Sequence, residues 1–221
     1  HEERELAVEL ALKVKAVRPE LPVTILATDP SSLPRLSDTT MHHGVDRIFL
    51  WQNDPTLLVA IIKYFEDRAN VDHDTRVGGV RVVLLVEDSI AHYSTSLPAI
   101  YTAIMRLTRR LIDEGLNLLH KQLRMRSRAK IVLADSLEEA VDLYRRYRPY
   151  ILGVVTDVRF SKAGRPEDGA GFELVRMLRG EDRELPICIQ SAESEENRPR
   201  ALALGTYFID KHSKRLIDDL Q

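Results

Sequence analysis

Between Tyr150 and Phe160 the chain reads Ile151-Leu152-Gly153-Val154-Val155 and then turns polar at Thr156 and Asp157. A run this short and this rich in β-branched residues is a strand apolar on both faces, the kind that parallel sheets bury between two layers of helix. No other stretch constrains the fold as much. A parallel sheet demands crossover helices and places its ligands beyond the carboxyl ends of its strands. Asp157 stands at such an end. Alone, an aspartate there is a turn former or a helix cap, so its meaning depends on what other strand ends bring to it.

The same alternation runs through the second half of the chain. Val80 to Val86 is a buried strand ending in Glu87-Asp88, and Ile131 to Ala134 is another. Ser136 caps a helix from Leu137 to Tyr147, with Glu139 completing a capping box. After Asp157, a loop with Gly164, Pro166 and Gly169 leads to a helix, Phe172 to Leu178. Leu185 to Gln190 is a strand that runs into Ser191, Glu195 to Leu204 a helix, and Tyr207 to Ile209 a strand that runs into Asp210-Lys211. Lys214 to Leu220 reads as a short closing helix. Five strand-helix repeats predict an α/β fold with a flavodoxin-like, doubly wound, five-stranded parallel sheet in the order 2-1-3-4-5. In that order the first and third strands are neighbours. Glu87, Asp88 and Asp157 converge, and Ser191 and Lys211 approach from the adjacent edge.

Upstream, Glu2 to Val17 has apolar residues at helical spacing and is stopped by Pro19, and Leu21 to Ala27 reads as a strand. Asp29 to Ser32 is loop and cap chemistry, with a helical turn or two to about His43 and a turn at Gly44. Val45 to Trp51 is a strand, and Asp54-Pro55 opens a helix from Thr56 to about Ala69. Glu20-Leu21-Pro22-Val23-Thr24-Ile25 matches Glu184-Leu185-Pro186-Ile187-Cys188-Ile189. Residues 1–72 therefore read as the C-terminal half of a second, similar domain, and 80–221 as the complete copy. The polar stretch Asn70 to Gly79 supplies a linker over 73–79. Half a doubly wound sheet leaves apolar faces uncovered, so further sequence is expected before His1. A long helix is predicted from Thr95 to about Met125, with Pro98 in its first turn, a bend at Gly115 and apolar residues near a heptad repeat. At 1.5 Å per residue it spans roughly 45 Å, and the helix 95–125 is expected to form a homodimer or interdomain contact.

A net charge of −2 and a pI near 6.4 give no electrostatic case for nucleic acid or an anionic membrane. The basic cluster Lys121, Arg124, Arg126, Arg128, Lys130 reads as the solvated end of a helix. No apolar run is long enough to span a bilayer. One cysteine, Cys188, excludes a disulfide framework, suits a reducing cytoplasm and reads as a small core residue. His42-His43 reads as solvated loop and Trp51 as packing, and His92, near enough to the site to contact it, reads first as an exposed helix position.

Val86-Glu87-Asp88, Asp157, Ser191-Ala192 and Lys211, in that order on those strand ends, resemble the receiver domain of bacterial two-component response regulators across residues 80–221. The run Asp157-Val158-Arg159-Phe160 and the ending Phe208-Ile209-Asp210-Lys211 are similar, more narrowly, to the receiver-like region that precedes phosphoenolpyruvate synthase/pyruvate phosphate dikinase-type modules. Clustered carboxylates suit a hard cation such as Mg²⁺. Asp88 and Asp157 are the direct ligands, with Glu87 acting directly or through water, and the resemblance adds the backbone carbonyl of Arg159.

The resemblance makes Asp157 the nucleophile that accepts a phosphoryl group from a phosphohistidine of a histidine kinase or phosphotransfer protein, with Lys211 stabilising its charge. Ser191 would then bind a phosphoryl oxygen and Phe208 repack, switching an output or dikinase-type module. The chain is expected to be an acceptor rather than an enzyme acting on a separate substrate.

There are departures from the family pattern. His212 replaces a proline, and an insertion runs through Arg165 and Glu167. In the partial first copy Ala27 stands where Ser191 does and Trp51 where Lys211 does, so that copy reads as degenerate. The competing expectation is a tandem pseudo-receiver used only for interaction or dimerisation within a larger enzyme. A freestanding phosphatase or flavin protein is disfavoured, since no G-x-x-x-x-G-K-[ST] loop or nucleophile elbow is present.

Overall fold

The computed structural model describes residues 2–33, 44–113 and 128–211. In chain order the first elements are α1 (Glu2–Val17), β1 (Thr24–Ala27), β2 (Arg47–Leu50) and α2 (Thr56–Gly78). They are followed by β3 (Val82–Val86), α3 (Ile90–Asp113), β4 (Lys130–Ala134), α4 (Leu137–Tyr147) and β5 (Ile151–Asp157). The chain continues with β6 (Phe160–Lys162), β7 (Arg165–Glu167), α5 (Ala170–Glu181), β8 (Ile187–Ser191), α6 (Ser194–Ala203) and β9 (Tyr207–Asp210).

Five strands form one wholly parallel sheet in the order β4-β3-β5-β8-β9, the flavodoxin-like doubly wound order. The apolar runs explain it. Val82, Leu84, Leu85 and Val86 are completely buried because α4, α5 and α6 cover one face while α2 and α3 cover the other. Val86 stands opposite both Ala134 and Thr156, and Asp157 opposite Gln190, so the polar strand ends line up along one edge. Ser136 caps α4 as its sequence predicts, accepting from the Glu139 N–H at 3.2 Å.

The register of β1 and β2 repeats that of β8 and β9. Thr24 faces Arg47 as Cys188 faces Tyr207. The same backbone bond closes each pair, Trp51 N–H to the Ala27 carbonyl at 2.7 Å and Lys211 N–H to the Ser191 carbonyl at 3.0 Å.

Four local expectations need correction. The stretch 70–78 is not an irregular linker but the last turns of α2, ended by Gly79 in the left-handed region at φ 60°. Its polar residues find partners on α4 and β4. Asp72 bonds Arg146 and the Tyr147 hydroxyl of α4, Asp74 pairs with Lys130 of β4 at 2.9 Å, and Val71 and Thr75 face the core.

Helix α3 begins at Ile90 rather than Thr95, which leaves Pro98 inside it rather than in its first turn. The extra turn is held from outside. The Tyr93 hydroxyl donates to the Ile48 carbonyl, and Ser94 Oγ accepts from the Leu50 N–H at 2.9 Å. Beyond Asp113, the rest of the expected long helix and Gly115 lie outside the described residues, as do His42, His43, His212 and the closing helix.

The loop after Asp157 contains an antiparallel hairpin, β6 with β7, which three-residue strands do not announce in sequence. Ala163 and Gly164 both have positive φ at its tip, the conformation of a tight hairpin turn.

Arg128 and Lys130 are not a solvated helix end. With the Tyr101 hydroxyl and the Ile131 N–H they surround the carboxylate of Asp67, a fully buried residue of α2, at 2.5 to 3.4 Å. Asp67 thereby covers an edge-strand N–H that a neighbouring chain could otherwise pair with.

Candidate functional site

The carboxyl ends of β3, β5 and β9 meet at one ammonium group. Lys211 Nζ lies 2.5 Å from Glu87 Oε2, 2.7 Å from Asp157 Oδ2 and 3.0 Å from His92 Nδ1. The ligand atoms of Glu87, His92 and Asp157 all fall within 4.8 Å of one another because they surround this ammonium. An ammonium can only donate, so His92 Nδ1 is an acceptor here. His92 is exposed, as its sequence position suggests, yet it contacts the site.

Backbone geometry fixes each carboxylate. The Glu87 N–H donates to the Ala134 carbonyl at 2.9 Å, which extends the ladder past β3 and points the side chain inward, where it is completely buried. Both its oxygens are engaged, Oε1 by the Ser89 N–H at 3.1 Å and Oε2 by Lys211. Asp157 Oδ1 accepts from the Val158 N–H at 2.7 Å. The chain at Asp157 passes so close to α5 that a Cβ on Gly171 would stand 2.0 Å from the Asp157 carbonyl oxygen. Only glycine allows that approach.

Burial and the neighbouring negative charges of Glu87 and Asp157 push the Asp88 carboxyl up to about 6, against a bond from the Ser161 backbone that holds it down. Burial and the Glu87 charge also raise Asp157, with Lys211 opposing. Two carboxylates, Glu87 and Asp157, share one ammonium, and the Asp88 charge lies near both, so the group carries surplus negative charge. Carboxylates of that sign fit a hard divalent cation such as Mg²⁺, while the one imidazole beside them, His92, faces the ammonium.

The other sequence candidates are placed as follows. Ser191 ends β8, and its side chain is buried against Asn197 of α6. Arg159 is exposed, its guanidinium paired with Asp168 at 3.2 Å. Phe208 is half-buried against the core, under the Arg198 guanidinium at 4.9 Å. Cys188 is half-buried, and burial pushes its thiol up to about 12. In the first copy Ala27 is buried and Trp51 packs against the second core. Beside Asp157 opens a cleft of about 520 Å³, lined in part by Ser191, Asn197, Arg200 and Lys211.

Sequence reasoning missed Asn197, the hairpin's Ser161 contact to Asp88, and the role of Gly171. The Gly169-Ala170-Gly171 run was the one available signal, since a glycine inside the first turn of a helix asks for a close neighbour.

No family model matches the chain, and neither does any curated protein. Three solved structures are similar. The non-phosphorylated HemR receiver domain of Leptospira biflexa is 25% identical with a TM-score of 0.40, over 63% of this chain and 90% of that one. A response regulator receiver domain protein of Clostridium thermocellum is 15% identical with a TM-score of 0.42, over 64% and 90%. The CheX–CheY–BeF₃–Mg complex of Borrelia burgdorferi is 23% identical with a TM-score of 0.38, over 65% and 89%. The fold assignment rests on the strand order itself. No described helix is long and apolar enough to cross a membrane.

Proposed function

We propose that residues 80–221 are a receiver-type phosphoacceptor module, with Asp157 as the acceptor. The observation that carries the reading is the Lys211 ammonium, which bridges Glu87 and Asp157 from the tip of a third strand. A lysine on a surface strand end has no physical reason to sit almost fully buried between two carboxylates unless the charges serve each other.

Asp88, Asp157 and the Arg159 carbonyl would hold Mg²⁺, with Glu87 acting directly or through water. The ion supplies neutralisation of the transferring phosphoryl oxygens. The chain's own residues do the rest. An Asp157 oxygen forms the new O–P bond as the N–P bond of a donor phosphohistidine breaks, and the imidazole leaves with its electron pair and takes a proton. Lys211 shifts from sharing Asp157 toward the incoming oxygens. Ser191 donates to one of them, and Phe208 repacks beside it as the switch to an output module.

The module works in the cytoplasm, as an acceptor and not as an enzyme on a separate substrate. The histidine kinase or phosphotransfer donor, a fused dikinase-type output and dimerisation through the helix 95–125 belong to the same proposal. Residues 1–72 lack hydroxyl and ammonium at Ala27 and Trp51, positions whose backbone bond repeats that of Ser191 and Lys211, and serve as a structural half-copy. The test is incubation with acetyl phosphate and Mg²⁺, read by intact mass. Wild type should gain one phosphoryl group and Asp157→Asn none. No gain in wild type, or equal gain in both, sinks the reading.

A further inference from the structure

Ser191 is held by two donors. Its Oγ accepts from the Glu193 backbone N–H at 3.0 Å and from Asn197 Nδ2 at 3.0 Å. A hydroxyl offers two lone pairs and one proton. Both lone pairs are taken, so what the hydroxyl has left to offer is its proton. Ser191 and Asn197 are almost wholly buried, yet both border the cleft beside Asp157.

The amide of Asn197 is oriented from its other side. Its Oδ1 accepts from Arg200 Nη1 at 3.4 Å, and the Arg200 guanidinium lies over the Phe172 ring at 4.2 Å. The reversed amide would set donor against donor at Arg200 and turn an acceptor toward Ser191, which the hydroxyl would then satisfy.

We propose that Asn197, aligned by Arg200, is a positioning residue that makes the Ser191 hydroxyl an obligate donor, aimed at an anionic oxygen bonded to Asp157. The inference deepens the acceptor reading and rests on it. It gives an otherwise ordinary buried asparagine a function. Asn197 touches no phosphoryl oxygen itself. It removes the alternatives open to the one hydroxyl that does.

The probe is beryllofluoride with Mg²⁺, a phosphoryl mimic, titrated against the full chain by ¹⁹F NMR. Asn197→Asp is nearly isosteric but offers Ser191 an acceptor, so the hydroxyl turns away. Beryllofluoride affinity should fall about 10- to 100-fold, the range of a hydrogen bond to a charged group. Ser191→Ala should lose a similar amount, and adding Asn197→Asp to it should cost nothing more. Asn197→Leu, uncharged and similar in size, releases only one lone pair and should lose a few-fold, which keeps the test open if the aspartate variant does not fold.

Full additivity of the two changes, or wild-type affinity in a folded Asn197 variant, overturns the role of Asn197 alone. If wild type itself shows no bound beryllofluoride, the acceptor reading falls and this inference with it.

Discussion

Removing the Lys211 charge tests the geometry most directly. The side chains of Lys211, Glu87 and Asp157 are 7%, 1% and 13% exposed, so Lys211→Met strands two buried carboxylates without their counter-ion. Breaking such a pair from one side costs about 3–5 kcal/mol, because the remaining charge stays buried and uncompensated. For a chain of this size, with about 2–4 °C of melting temperature per kcal/mol, that is a drop of roughly 6–20 °C.

The loss should depend on pH in a known direction. Asp157 and Asp88 are both raised, so the fold binds their protons more tightly than the unfolded chain does, and protonation relieves the stranded charge. The deficit of Lys211→Met is therefore largest at pH 7 to 8 and shrinks as pH falls toward 5. Urea unfolding at both pH values, with and without Mg²⁺, reads it, and the cation should restore part of the stability at the higher pH. A loss under about 1 kcal/mol, or one unchanged by pH and Mg²⁺, would refute the view that Lys211 is the counter-ion of this cluster.

Two further outcomes follow from the same site. Because the Asp88 carboxyl is pushed up to about 6, wild-type stability without divalent cations should fall as pH rises from about 4 to about 6 and then level off. The carboxylate is only half-buried, which discounts the effect to about 1 kcal/mol. Asp88→Asn should be more stable than wild type by that amount at pH 7.5 and equal to it at pH 4, measured by urea titration. Gly171→Ala should cost about 3 kcal/mol, since the new methyl meets the Asp157 carbonyl backbone, and should also weaken phosphoryl uptake. Gly180→Ala in the same helix meets nothing within 4 Å and should gain about 0.5–1 kcal/mol, so calorimetry of the pair separates crowding from propensity.

By itself the sequence determined the sheet and the edge on which the site is built. Short runs such as Val80–Val86 and Ile151–Val155 are apolar on both faces, and no local alternative buries them, so pairing and crossover handedness follow from strand order. Glu87, Asp88, Asp157, Ser191 and Lys211 were legible for the same reason, since residues at the carboxyl ends of parallel strands share an edge whatever lies between them.

Tertiary structure alone decided the polar partnerships. Asn70 to Gly79 looked like a linker because it is polar and contains Gly78-Gly79, and it is helical through Gly78 because Arg146, Tyr147 and Lys130 meet Asp72 and Asp74 from other elements. Asp67 gave no sign of being the buried anchor of β4, nor Asn197 of bonding Ser191, and His92, near the site in sequence, was readable as a contact but not as one to Lys211. Hydrophobic burial is written in each segment's own pattern. A hydrogen bond or ion pair between distant residues depends on two side chains arriving at the same place, and only the packed fold brings them there.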